Sequence, residues 1–205
     1  MKIKLSLILG SIFLFCQAAM AQTAYQVSAT VPTATGISMV VDSVNTTGSP
    51  VFTPVSGTAL IFDPMTFNST NNIYLPSVYY AINISASGGG GLPDTTVTYT
   101  EGTNPNGSST TQGGLGTKTT ATFAQEQGST ETITALGKKR LIDLTGSVGH
   151  EPYTSLASGS YLRVYVGVWT GSTAAPADPS NGQPFSNADA SGTYTGTLTV
   201  TAVVN

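Results

Sequence analysis

The most constraining feature of the chain is a strict alternation of side chains over residues 192–204. One parity of this segment carries Tyr194, Gly196, Leu198, Val200, Ala202 and Val204, and threonine occupies every position of the other parity from Thr193 to Thr201. Because side chains of a β-strand point alternately to opposite faces, the segment is predicted to be a strand with one buried face. Such a strand needs neighbours, so the chain is expected to form a sheet.

A second alternating segment lies near the other end of the sequence. Tyr25, Val27, Ala29 and Val31 interleave with polar residues, and Pro32 follows directly. This pattern also predicts a strand with one apolar face.

The first 21 residues have the features of a secretory signal peptide. They have a basic start, an apolar run over residues 5–15 and the small-residue sequence Ala19-Met20-Ala21. We therefore expect the mature chain to begin at Gln22. The apolar run is too short for a membrane span, and no later stretch is long enough, so no transmembrane segment is expected in the mature chain.

Composition excludes several kinds of chemistry. The only cysteine, Cys16, lies within the predicted signal, so the mature chain is expected to have no disulfide, no thiol nucleophile and no sulfur-ligated metal. After loss of Lys2 and Lys4 with the signal, five basic residues remain against ten acidic ones. Such a charge balance disfavours nucleic acid and anionic membranes as partners.

The rest of the sequence is divided by glycine, proline and asparagine turns into short apolar runs. No amphipathic helix is predicted after the signal, and residues 101–116 and 170–190 are predicted to be loops. The pattern favours an all-β, immunoglobulin-like antiparallel sandwich in one domain. The strand candidates between the two terminal segments are residues 36–44, 51–55, 58–62, 65–67, 73–86, 94–100, 118–124, 130–136, 140–144 and 161–169.

Together these features resemble the pilins of chaperone-usher type, most closely the disulfide-free colonisation-factor class and the archaic spore-coat-U-like class. The resemblance rests on the export signal, the N-terminal segment ending at Pro32, the absence of cysteine, and a final strand of the pattern G-x-Y-x-x-x-L-x-V-x-A-x-V. It implies a structural subunit of a bacterial surface filament, exported through the periplasm and serving adhesion or biofilm formation.

The resemblance also implies how subunits join. The sandwich of such a subunit lacks one strand, which a periplasmic chaperone supplies first and the next identical subunit supplies later, with an outer-membrane usher as a further partner. Residues 22–34 would then be the donor segment and residues 35–205 the pilin-like domain. The donated side chains would be Tyr25, Val27, Ala29 and Val31, and the acceptor groove would be lined by Tyr194, Leu198, Val200, Ala202 and Val204.

Residues that could carry chemistry have simpler interpretations. His150 and Glu151 are read as loop residues rather than parts of a catalytic triad, so we expect no enzyme, no catalytic residue, no metal and no cofactor. Asp178, Asn181 and Asp189 could supply oxygen ligands to calcium, but their spacing does not fit an EF-hand, and ordinary turn chemistry is favoured.

Two further clusters also have simple interpretations. Lys138, Lys139 and Arg140 are interpreted as a solvated strand edge that discourages sideways pairing. Tyr165 and Trp169 could stack on a sugar, but a role in the core or in a subunit contact is favoured.

A second function stays open at this point. A secreted, self-contained β-sandwich that acts as an adhesin or carbohydrate-binding module would share most of these features. The two hypotheses differ in the position of residues 25–31. In the filament hypothesis this segment is free or inserted in a neighbour, and in the alternative it pairs within its own sandwich.

Overall fold

Two β-sheets account for most of the described chain. The computed structural model describes residues 25–30, 37–46, 48–86, 94–107, 113–127, 134–146, 151–153, 160–170 and 182–203. Almost all strand pairs in these ranges are antiparallel, and the exception is the pair formed by the first and last strands. The all-β sandwich predicted from the sequence is confirmed.

The smaller main sheet has five strands in the order β11-β8-β13-β1-β4. Its members are β1 (Tyr25–Thr30), β4 (Ala59–Ile61), β8 (Asp94–Glu101), β11 (Glu151–Tyr153) and β13 (Tyr194–Val203). The first and last strands of the chain are therefore neighbours inside one sheet.

The larger sheet has six strands in the order β10-β9-β12-β7-β2-β3. Its members are β2 (Ile37–Asn45), β3 (Phe52–Pro54), β7 (Val78–Ala86), β9 (Thr119–Gln127), β10 (Thr134–Arg140) and β12 (Ser160–Val168). A separate hairpin consists of β5 (Met65–Asn68) and β6 (Ile73–Pro76).

The hydrophobic core lies between the two sheets. The five-stranded sheet contributes Val27, Leu60, Val97, Tyr99, Tyr194, Leu198, Val200 and Ala202, and the six-stranded sheet contributes Tyr80, Ile82, Ile84, Phe123, Leu162, Val164 and Val166. These residues recur at every second position of their strands, which is the pattern expected when each sheet buries one face.

The structure corrects the sequence predictions at several places. Glu151, predicted to lie in a loop, begins β11, and β10 (Thr134–Arg140) continues four residues beyond the strand predicted at residues 130–136. Residues 73–86 form two strands, β6 and β7, which belong to different sheets and meet at Ser77. Residues 140–144 contain a 3-10 helix (Leu141–Leu144) in place of the predicted strand. A one-turn helix, α1 (Leu115–Lys118), precedes β9 where a loop and the start of a strand were predicted.

Candidate strand-exchange site

Strand β1 occupies an interior position in the five-stranded sheet. It runs parallel to β13, with Tyr25 opposite Tyr194 and Thr30 opposite Thr199, and antiparallel to β4, with Gln26 opposite Ile61. The segment is thus paired within its own sandwich, which is the arrangement expected for a self-contained domain.

Val27 anchors β1 in the core. Its side chain is fully buried, and its backbone lies between Gly196 of β13 and Leu60 of β4. Tyr25 and Ala29 belong to the same strand by their backbone, and their side chains lie outside the described part of the structure, as does all of Val31.

The position that β1 occupies between β13 and β4 is called the slot below, and the apolar face of β13 forms one wall of it. Tyr194, Leu198 and Val200 are fully buried, and Ala202 is 6% exposed. The intervening threonines are half-buried or exposed, so the alternation read from the sequence corresponds to the two faces of the strand. Val204 lies outside the described residues.

Gly196 is the one residue of this face without a side chain, and the ring of Tyr99 fills the space. A β-carbon at position 196 would overlap the Tyr99 ring, with Cε2 of that ring at 2.6 Å. Tyr99 is opposite Leu198 in the neighbouring strand β8 and is 2% exposed. Glycine at this position therefore allows an aromatic ring to lie against the backbone of β13 directly beside Val27.

The opposite wall of the slot is β4, a three-residue strand at the edge of the sheet. Leu60 and the adjacent Phe62 are fully buried, whereas Ile61 is 40% exposed. The hydroxyl of Tyr80, from β7 in the facing sheet, accepts a hydrogen bond from Ile61 N–H at 2.9 Å and donates one to Ile61 C=O at 2.6 Å. The Tyr80 ring also contacts Phe62 edge-on, at 5.3 Å between centroids.

The outer edges of both sheets carry features that oppose the addition of another strand. β3 ends at Pro54 and β11 contains Pro152, and proline supplies no N–H to a ladder. The edge strand β10 carries exposed Lys138 and Lys139, in keeping with the interpretation of the basic cluster as a protected edge. Arg140 makes an ion pair with Asp143 at 2.7 Å.

A buried ion pair that the sequence analysis missed lies at one end of the sandwich. Nζ of Lys118 is 2.8 Å from Oδ1 of Asp189 and also donates a hydrogen bond to Pro184 C=O. Asp189 further accepts hydrogen bonds from Nδ2 of Asn106 and from the backbone N–H and hydroxyl of Ser186. Asp189 therefore holds the segment before β13 against the start of β9. Asp178 and Asn181, the other two residues weighed as calcium ligands in the sequence, lie outside the described residues.

A second buried carboxylate lies at the end of β8. Glu101 accepts hydrogen bonds from the backbone N–H groups of Leu115 and Gly116, each at 2.9 Å, and so fixes helix α1 against the sheet. Burial raises the pKa of Glu101, although these two donors and the nearby Tyr99 hydroxyl act in the opposite direction. The Tyr99 hydroxyl forms no hydrogen bond of good geometry, but burial and the charge of Glu101 both raise its pKa.

The outer face of the six-stranded sheet carries a cluster centred on Arg163. Its guanidinium lies 4.8 Å from the ring centroid of Phe52 and within 6 Å of the rings of Tyr161 and Tyr165. It donates hydrogen bonds to both tyrosine hydroxyls and to Oδ1 of Asn83. Arg163 and Tyr165 are each only 8% exposed, so Tyr165 is a packed residue of this face rather than an open stacking surface.

The remaining candidates from the sequence give no further site among the described residues. Trp169 is half-buried, with Gly182 packed against its ring. His150 lies outside the described part of the chain. Within that part, no group of three or more histidine, cysteine or acidic residues is placed to bind a metal ion. No helix in the described ranges has the length and apolar character needed to cross a membrane.

Comparisons with known proteins identify no relative. No family model, no curated protein and no solved structure matches this chain.

Proposed function

We propose that the protein is a structural subunit of a bacterial surface filament and that its copies join by exchanging strand β1. In the single chain β1 lies within its own sandwich, as the alternative hypothesis requires, so the proposal depends on exchange of this strand between copies. The observation that supports exchange is that one short N-terminal strand fills an interior position of the sheet. A six-residue strand from the beginning of the chain fills an interior slot between β13 and β4. The same strand from a second copy could fill that slot with identical contacts.

The physical cost of such an exchange is low. When an identical element moves between copies, the contacts it makes are preserved, and only the connecting segment changes conformation. In this chain the connection between β1 and β2 spans residues 31–36 and includes Pro32 and Gly36. Exchange from one copy to the next is a head-to-tail contact, which continues as an open filament when the rotation does not close a ring.

The sheet edges support the same route of assembly. Pro54, Pro152 and the pair Lys138 and Lys139 disfavour pairing at three of the edges, and the Tyr80 hydroxyl occupies the outward backbone groups of Ile61 at the fourth. Copies that cannot add at an edge can still join through the interior slot. The role in adhesion or biofilm formation, the surface location and the chaperone and usher partners are part of this proposal and follow from the resemblance alone.

The test uses two chains with one introduced cysteine each. Cys16 is replaced by Ser in both, so that the introduced thiols are the only ones. One chain carries Ser28→Cys and the other carries Thr197→Cys together with an affinity tag, because residues 28 and 197 are directly opposite in the β1–β13 ladder. Neighbouring strands bring such Cα atoms within disulfide range. Under mild oxidation the mixed chains are expected to form a tagged, disulfide-linked dimer.

A matched pair at a ladder that does not exchange serves as the control. Thr98 and Thr199 are opposite in β8 and β13, both within the body of the domain. Chains with Thr98→Cys and Thr199→Cys should give no mixed dimer, whereas both substitutions in one chain should give an internal disulfide. A mixed dimer at 28–197 no more abundant than at 98–199 would refute the proposal.

The self-contained sandwich is the second candidate function. It is favoured by the position of β1 within its own domain, where Val27 is fully buried. If this candidate is correct, Ser28→Cys and Thr197→Cys in one chain will give only a monomer with an internal disulfide at every protein concentration. The exchanging subunit instead gives a ladder of linked oligomers.

A further inference from the structure

Strand β4 depends on β1 for all of its ladder contacts in the described structure. In the described structure β4 has a single strand partner, which is β1, through the pairs Gln26 with Ile61, Val27 with Leu60 and Ser28 with Ala59. Departure of β1 would therefore remove every ladder contact of β4. A three-residue strand without a partner is not stable by its own hydrogen bonds.

The Tyr80 hydroxyl supplies the missing connection. It bonds both backbone groups of Ile61, and the N–H and C=O of one strand residue point to the same side of the strand. These two groups are therefore directed away from β1. Tyr80 belongs to β7, in the middle of the six-stranded sheet, so the bonds join β4 to the facing sheet across the edge of the sandwich.

The surroundings of Tyr80 favour a fixed hydroxyl. The residue is 6% exposed, and its ring packs edge-on against Phe62, which is fully buried directly after β4. Burial also raises the pKa of the hydroxyl, which keeps it protonated and able to donate to the Ile61 carbonyl. The ring contact and the two hydrogen bonds can be separated experimentally, because phenylalanine keeps the ring and removes only the oxygen.

We propose that Tyr80 is a latch that keeps β4 attached to the body of the domain while β1 is exchanged, so that β1 alone is the exchanging unit and β4 remains as the far wall of the slot. This inference rests on the proposed function. It defines what an incoming strand meets, namely a slot with two walls rather than the single exposed edge of β13.

Two mixed cross-links measure the two walls separately. The first joins Ser28→Cys of one chain to Thr197→Cys of another and reports pairing of the incoming β1 with β13. The second joins Ser28→Cys to Ala59→Cys and reports pairing of the same strand with β4. Both use the full chain with Cys16→Ser, and the ratio of the second yield to the first is compared between backgrounds.

With Tyr80 present, both mixed cross-links are expected to form at similar rates. With Tyr80→Phe, the cross-link to residue 59 is expected to fall about five-fold relative to the cross-link to residue 197, the size of effect typical for loss of such hydrogen bonds. Tyr79→Phe is the matched control. Tyr79 is the neighbouring residue of β7 and lies in the cluster on the opposite face of the sheet, so its substitution should leave the ratio unchanged.

The outcomes separate the latch from the proposed function. If the 28–197 cross-link forms and Tyr80→Phe leaves the ratio unchanged, the exchange is real and the latch is wrong. If, with Tyr80 present, the mixed 28–197 cross-link forms and the mixed 28–59 cross-link does not, β4 moves with β1, which also overturns the latch. If no mixed 28–197 dimer forms with Tyr80 present, the proposed function fails and the inference fails with it.

Discussion

The Nζ atom of Lys118 lies 2.8 Å from Oδ1 of Asp189, with the two side chains only 4% and 5% exposed. This pair connects the start of β9 in one sheet to the segment that leads into β13 in the other. Removing one partner of a buried pair leaves an unpaired charge in the interior, which typically costs about 3–5 kcal/mol. We expect Asp189→Ala to lower the free energy of unfolding by this amount in urea denaturation.

The two partners should not be equivalent. Lys118→Met leaves Asp189 with its hydrogen bonds from Asn106 and Ser186, whereas Asp189→Ala leaves the Lys118 ammonium with the carbonyl of Pro184. Lys118→Met is therefore expected to be the milder change. Lys139→Met, at an exposed position, is the control and should change stability by less than about 0.5 kcal/mol. A loss of stability in Lys118→Met as large as in Asp189→Ala, or a loss in Lys139→Met as large as either, would contradict this assignment.

Sequence patterning predicted the long strands because buried apolar side chains recur at every second residue of a strand that faces the core. The alternation in residues 192–204 gave the two faces of β13, and the apolar parity of residues 78–84 corresponds to the core face of β7. The prediction failed where chain direction changes without a break in hydrophobicity. Residues 73–86 read as one strand, yet β6 ends at Pro76, which has no N–H to continue a ladder.

Other features depend on contacts that local patterns do not contain. Leu141 and Leu144 are both buried at a spacing of three, which suits the 3-10 helix and was hidden within a short apolar run read as a strand. Lys118 is buried because Asp189 comes from a distant part of the chain. The hydrogen bonds between the Tyr80 hydroxyl and the backbone of Ile61 likewise form only where two sheets meet, so neither residue carries a recognisable sequence signal.

The face of β13 can be tested with a pair of adjacent substitutions. Val200 is fully buried and Thr199 is half-buried on the opposite face. Val200→Asp places an unpaired carboxyl group in the core and is expected to cost more than about 3 kcal/mol. Thr199→Asp should cost much less, since its carboxylate can reach water. Thermal unfolding of the two purified variants makes the comparison, and similar melting temperatures would contradict this assignment of the two faces.

The buried carboxylate of Glu101 should give stability a dependence on pH. Burial raises the pKa of Glu101 in the folded state, so between the unfolded and folded pKa values the folded protein binds more protons than the unfolded chain. The free energy of unfolding contributed by this group is then fully present below the unfolded pKa and is lost as pH rises through the folded pKa. Glu101→Gln should remove this decline, measured as the change in urea midpoint from mildly acidic to neutral pH.

Asp143 supplies a control of opposite sign. The hydrogen bond from Arg140 lowers the pKa of Asp143, so its contribution is present above the unfolded pKa and is lost as pH falls through the folded value. Asp143→Asn should therefore weaken the protein only toward higher pH. The effect should be small, because the pair is partly exposed to solvent. Slopes that change in the same direction in Glu101→Gln and Asp143→Asn would contradict the two assignments.

Gly196 should not tolerate even the smallest side chain. A β-carbon there overlaps the Tyr99 ring, which is held in the core between the sheets. Gly196→Ala is expected to destabilise the protein by about 1–3 kcal/mol, as is typical of overpacking. Gly102→Ala tests a second tight contact of β13, because a β-carbon at position 102 would overlap Thr195. If Tyr99→Leu does not restore part of the stability of Gly196→Ala, the overlap is not the cause.

The last prediction concerns the slot itself. Deleting residues 23–31 removes the fully buried Val27 and the only strand partner of β4 in the described structure, so the truncated chain is expected to lose several kcal/mol of stability and all exchange. A synthetic peptide with the sequence of residues 23–32 should bind the truncated chain and raise its melting temperature in proportion to the logarithm of peptide concentration once binding is near saturation. The same peptide with Val27→Asp is the control and should have no effect, because its carboxylate would enter the core. A truncated chain that forms filaments as well as the full chain does, or that is stabilised equally by both peptides, would show that β1 is not the element that joins the subunits.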